Sequence, residues 1–143
     1  MLLQTWQFWA ILSACFAALT AVFAKIGVEG IDPDLATFIR TLVVVAVLVL
    51  ILTAGNKWRG IGSISGRTLG FLVFSGLATG ASWLCYFRAL QIGDAAQVAP
   101  VDKLSVVLVA VFGVLFLSER LSATNWAGVL LIAGGALLVA YRG

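Results

Sequence analysis

The chain has 143 residues, of which 62% are hydrophobic and only 10% charged, with nine basic and six acidic side chains giving a net charge of +3. Soluble domains carry about 45–50% apolar and about 25% charged residues, so a water-soluble helical bundle is excluded wherever a helix is apolar on every side, as in 43–52 and 106–117. The small, scattered basic excess contains no tail or aromatic-interleaved patch, which speaks against nucleic acid as a partner.

Five apolar stretches are legible in chain order, at 6–23, 35–54, 68–90, 95–117 and 123–141. Each approaches the roughly 20 residues that a helix needs to cross a hydrocarbon core of about 30 Å. The expected architecture is an all-α integral membrane protein, a single transmembrane domain over 1–143 whose odd span count puts the termini on opposite sides. The first stretch is read as a retained helix, because no Lys or Arg precedes it and its apolar run exceeds a signal-peptide core. Its polar groups are Gln7, Ser13 and Thr20.

Asp32-Pro33-Asp34 predicts a helix start, with an N-cap, a proline at the first helical position and a second acid near the positive end. Residues 55–66 hold Lys57, Trp58, Arg59 and four glycines, and read as a polar loop. Ser65 is a candidate cap for the third helix, Asp94-Ala-Ala-Gln97 a capping box for the fourth, and Ser122 a cap for the fifth. Lys57, Arg59 and Arg67 assign the second loop to the cytoplasm by the positive-inside rule, which places the N-terminus inside. Arg120 adds to that side, while Lys25 and Arg142, with Arg40, Arg88 and Lys103 as flanking residues, oppose it. This near balance leaves insertion in both directions open.

Gly76 and Gly80 form a GxxxG pair that suggests a helix-packing surface. Gly128 and Gly135 share a face of the last span, with either a partner chain or a helix of the same protomer as the neighbour. Cys15 and Cys85 lie in apolar stretches and read as buried hydrophobe-like thiols. Histidine is absent, and neither a metal-spaced cluster nor a phosphate-binding glycine loop nor a nucleophile elbow is present. No enzymatic activity, cofactor or metal is expected.

Ionisable groups at membrane depth are costly, at about 2.5–3.5 kcal/mol each on insertion scales, and mark ligand sites or pathways. Arg40 lies one and a half turns into the second span and Arg88 near the end of the third; each long stem also permits snorkelling to the interface. Asp102 and Lys103 follow Pro100, which should kink the fourth helix. As neighbours on a continuous helix these two point in different directions, so they are not expected to cancel each other. Lys103 is the leading candidate for substrate contact. Trp83 and Tyr86 offer apolar rings with a polar handle, suited to a pocket lining. Ser82, Tyr86 and Thr79 form one stripe, and Trp83 with Phe87 the next.

Tyr86–Leu90, Gly93–Ala96, Val98-Ala-Pro100 and Val114–Leu121, followed by the glycine-rich 126–141, resemble in order and spacing the core of an EamA-type repeat of the drug/metabolite transporter superfamily. Most members have ten spans built from two such halves, and this chain resembles one half. The resemblance implies an inner-membrane transporter that works as an antiparallel homodimer around a central pathway. Gly128 and Gly135 resemble the dimerising glycines of small multidrug resistance proteins. The first span lacks the membrane-embedded glutamate of those exporters, so their proton exchange is not carried over. Ser118 stands where the family often has glycine, a mild change at a packing position.

The expected function is alternating-access transport of a small organic metabolite, anionic or zwitterionic, since Arg40, Arg88 and Lys103 outnumber Asp102 at depth. The expected substrate-binding set is Lys103, Asp102, Arg40, Arg88, Trp83 and Tyr86, with small-molecule substrate and membrane lipid as partners. A cationic drug or quaternary ammonium exporter using Asp102, and a non-transporting membrane subunit, are the alternatives. Translocation of a lipid head group or lipid carrier is a third.

Overall fold

The computed structural model describes residues 5–141, and every regular element in it is helical. In order these are α1 (Trp6–Gly27), α2 (Pro33–Ala54), a short 3-10 segment (Lys57–Ser63), α3 (Gly66–Ile92), α4 (Ala95–Asp102), α5 (Ser105–Phe116) and α6 (Ala123–Ala140). Five helical stretches are long and apolar enough to cross a membrane, with α4 and α5 together making the fourth. Within each, no more than 11% of the apolar window is buried by the chain itself. Side chains such as Leu131 and Leu138 stay 77% exposed. An apolar surface of that extent needs lipid or another chain to cover it.

The helix starts follow local chemistry. Asp32 Oδ1 accepts from the Asp34 and Leu35 amides at 2.9 and 3.1 Å, and Pro33 follows at the first position. Gly30 makes the preceding turn with φ of +77°, where any Cβ would be strained. Ser65 Oγ accepts from the Thr68 amide at 3.1 Å, and Ser122 Oγ from the Asn125 amide at 3.2 Å. Asp94 differs from the expected capping box. It occupies the extended N-cap position, but its side chain makes no cap hydrogen bond, and its carbonyl takes the Gln97 and Val98 amides instead.

The fourth stretch is interrupted at Lys103 and Leu104. Pro100 has no amide proton to continue the ladder, and past it the register tightens. The Lys103 amide is shared between the Ala99 and Pro100 carbonyls, and the Leu104, Val106 and Val107 amides each reach back three residues at 3.0 Å. Because the chain leaves the α-helix between them, Asp102 and Lys103 pair at 3.0 Å, contrary to the expectation from continuous helical geometry.

Two compact units can be described separately. One is Ala24–Gln91, holding α2 and α3. The other joins the described residues up to Phe23 with those from Ile92 onward, and within it α6 packs on α4 and α5. Cys15 and Cys85 are free thiols on exposed helix faces rather than buried.

At the end of α5 the chain turns through Ser118 at φ of +57°, and the Glu119 amide returns to the Gly113 carbonyl at 3.0 Å. Ser118 therefore occupies a left-handed backbone position, the conformation that favours glycine. The Glu119 carboxylate folds over Gly113, where an added Cβ would lie 2.5 Å from Oε2. Left-handed backbone costs a non-glycine residue about 1–2 kcal/mol. Ser118→Gly should accordingly raise the thermal midpoint in detergent, and an unchanged or lowered midpoint would mean the turn is not left-handed.

Candidate functional site

Within the Ala24–Gln91 unit, α2 and α3 line a cavity of about 470 Å³ that is open on one side. Helical periodicity selects its walls. From α2 come Thr37, Arg40, Thr41 and Val44, and from α3 Leu72, Ser75, Gly76, Thr79, Gly80 and Trp83. These positions recur at three- and four-residue steps, so each helix contributes one stripe. Gly76 and Gly80, expected at a close helix contact, line open space instead, and a Cβ at either would meet nothing within 4 Å. Their missing side chains make room.

One ion projects into this space. The Arg40 guanidinium stacks on the Trp83 ring, and its Cζ is 5.8 Å from the Phe87 ring centroid. Trp83 and Phe87 stack in turn, with centroids 6.2 Å apart and planes inclined by 24°. A cation over an indole face gains about 2 kcal/mol or more when water is excluded. That offsets much of the cost of holding a charge in an apolar span. No carboxylate lines the cavity, and among the described residues none pairs with Arg40.

The hydroxyls are directional. Thr37 Oγ1 donates to the Pro33 carbonyl at 2.8 Å, Thr41 Oγ1 to Thr37 at 2.7 Å, and Thr79 Oγ1 to Ser75 at 2.8 Å. Each threonine proton is thus committed to its own helix, and only oxygen lone pairs remain for a ligand.

The cavity's end nearest the α2 N-terminus is tied by polar contacts. Arg88 Nη2 donates to both Asp34 carboxylate oxygens, at 2.8 and 3.1 Å. Gln91 Nε2 donates to the Ile31 carbonyl at 3.1 Å, and Lys25 Nζ to the Leu90 carbonyl at 2.8 Å. Leu90 is one of the last residues of α3, whose carbonyls lack intrahelical partners and attract a cation.

Of the expected substrate residues, the structure brings Arg40 and Trp83 together on one wall. Arg88 is engaged by Asp34 outside the cavity lining. Half-buried Tyr86 lies off the lining stripe. Lys103 and Asp102 face each other at the α4–α5 interruption, in the other unit. Thr37, Thr41, Ser75 and Thr79 were not anticipated as a set, although hydroxyls three residues before and one residue after an intramembrane arginine were the available signal.

A helical chain with five span-length apolar stretches and a cavity between two helices lined by one arginine is built as a multi-pass membrane protein, and comparison with known proteins makes it a transporter. Residues 4–141 match the EamA-like transporter family, and the chain belongs to it. A Sinorhizobium protein described as an uncharacterized transporter in cobO 3'region is 64% identical over 137 residues, which span 96% of this chain and 97% of that protein. No solved structure matches.

Because Gly80 faces open space, Gly80→Ala should stabilise α3 by about 0.5–1 kcal/mol through backbone entropy. A clear loss of stability in a thermal melt would instead place a packed neighbour against that glycine and contradict an open cavity.

Proposed function

We propose that this transporter moves small organic anions or zwitterions by alternating access, with the substrate carboxylate held by Arg40. The observation that carries this is an arginine on a cavity wall whose ten lining residues include no acid. A guanidinium presents a planar fork that matches a carboxylate, and stacking on Trp83 leaves the edge N–H groups available. Arg40 takes the role first given to Lys103, which is paired with Asp102. That same pairing weighs against a cation exporter with Asp102 as the bare acid.

The working unit in this reading is an antiparallel homodimer in the inner membrane, with α6 at the seam. Open space over Gly128 and Gly135 supports it, since a Cβ added at either would meet nothing within 4 Å. The near-balanced basic residues and the odd number of spans support insertion in both orientations. Two oppositely inserted copies would reproduce the inverted-repeat symmetry on which alternating access depends.

The test is counterflow into proteoliposomes of radiolabelled lactate, alanine and octanoate, with tetraphenylphosphonium as the cationic comparison. Loss of a charge-assisted hydrogen bond costs about 1.5–3 kcal/mol, so Arg40→Gln should weaken apparent affinity roughly 10- to 100-fold. Arg40→Lys should retain part of it. Anion transport unaffected by Arg40→Gln would contradict this reading. So would tetraphenylphosphonium movement that Asp102→Asn abolishes.

A further inference from the structure

The α2–α3 cavity carries its one charged lining group at one end only. Leu72 and Trp83 are separated by about 16 Å of helix rise, and the guanidinium stands at the Trp83 end. Arg40 is about 10 Å of rise from the α2 start at Pro33, so its head lies closer to one interface while the remainder of the cavity extends toward the opposite leaflet. The wall beyond it is chiefly apolar or bare backbone, from Val44, Leu72, Gly76 and Gly80. Val44 and Leu72 remain 45% and 58% exposed in the chain, which leaves that wall uncovered by the chain itself.

The polar groups restrict the ligand further. Arg40 offers several donors at one point, whereas Thr37, Thr41 and Thr79 have given their protons to backbone carbonyls. Ser75 is the lining hydroxyl with no partner among the described residues. A second anionic group, placed along the apolar wall, would lose its water without gaining a cation. An alkyl body placed there loses nothing by leaving water.

Resting on the reading that Arg40 holds the substrate anion, we infer that the preferred ligand is an amphipathic monoanion. A single carboxylate lies on the Arg40–Trp83 stack, and a medium-length apolar body lies along the glycine-lined wall, entering sideways from the bilayer. Gly76 and Gly80 set the length and width of the body; Arg40 sets the charge. Short acids leave the wall empty, and dicarboxylates bury an unmatched charge.

Equilibrium binding of carbon-14 octanoate to the protein in phosphatidylcholine nanodiscs tests this, with empty nanodiscs subtracting partition into lipid. Saturable binding is expected, competed at least tenfold more weakly by acetate and by octanedioate than by unlabelled octanoate. Arg40→Gln should weaken octanoate at least tenfold, and Gly80→Leu should weaken octanoate while leaving acetate competition in place. Should Arg40→Gln fail to elute as a single species, Gly80→Leu and the charge-retaining Arg40→Lys decide the matter. Acetate or octanedioate competing as well as octanoate, with Arg40 still required, would overturn the amphiphile and leave the anion site standing. Octanoate binding indifferent to Arg40 would overturn both, and absence of saturable octanoate binding would overturn the amphiphile.

Discussion

A guanidinium kept within an otherwise apolar helix pair must be compensated where it stands, and the α2–α3 unit is organised around that requirement. Lipid supplies neither hydrogen bonds nor counter-charge, so Arg40 is held by the face of Trp83, with the Phe87 ring beside the pair. An aromatic face stabilises the cation without occupying its N–H groups. A carboxylate in the same place would have neutralised it and closed it to an anionic ligand. The acids of this unit lie elsewhere: Asp32 caps α2, and Asp34 takes Arg88. The separation of an aromatic-held arginine from an acid-held arginine assigns one to the cavity and the other to joining helix ends.

The joining contacts form a set. Asp34–Arg88, Gln91 to Ile31, and Lys25 to Leu90 all bind the C-terminal turn of α3 to the segment around the α1–α2 turn. Exposed ion pairs contribute little in water, but two of these ties also satisfy backbone carbonyls, one of them at a helix end. They hold one end of the α2–α3 pair together, while Gly76 and Gly80 leave the middle unfilled. A cavity between two neighbouring helices needs both conditions.

Much of this was legible in the residues. Hydropathy gives the five spans because crossing hydrocarbon demands uninterrupted apolar length, and the caps at Asp32, Ser65 and Ser122 follow from backbone amides needing acceptors. The interruption in the fourth span was foreshadowed by Pro100. What followed from it was not: the directions of Asp102 and Lys103 were deduced from a continuous helix, and the tightened turn after Pro100 removes that premise. Gly76 and Gly80 illustrate a different limit. Small residues allow close approach, yet they equally create space when larger neighbours such as Trp83 hold the helices apart. The threonine stripe was hidden because a hydroxyl bonded to its own helix leaves no mark in composition, and its meaning depends on which way the proton points. Arg40 and Arg88 are alike in sequence. Their partners across the helix pair distinguish them: Arg88 of α3 meets Asp34 of α2, whereas Arg40 of α2 meets the Trp83 ring of α3.

The α2–α3 cavity carries a positive charge that no lining acid neutralises. A chain with Cys15 and Cys85 replaced by serine, and with Thr41→Cys on the cavity wall, allows that charge to be read directly in proteoliposomes. The rates of modification by an anionic sulfonate-bearing and a cationic trimethylammonium-bearing methanethiosulfonate should differ in favour of the anion, with the difference lost in Arg40→Gln. Equal rates, or faster reaction with the cation, would contradict a positive cavity.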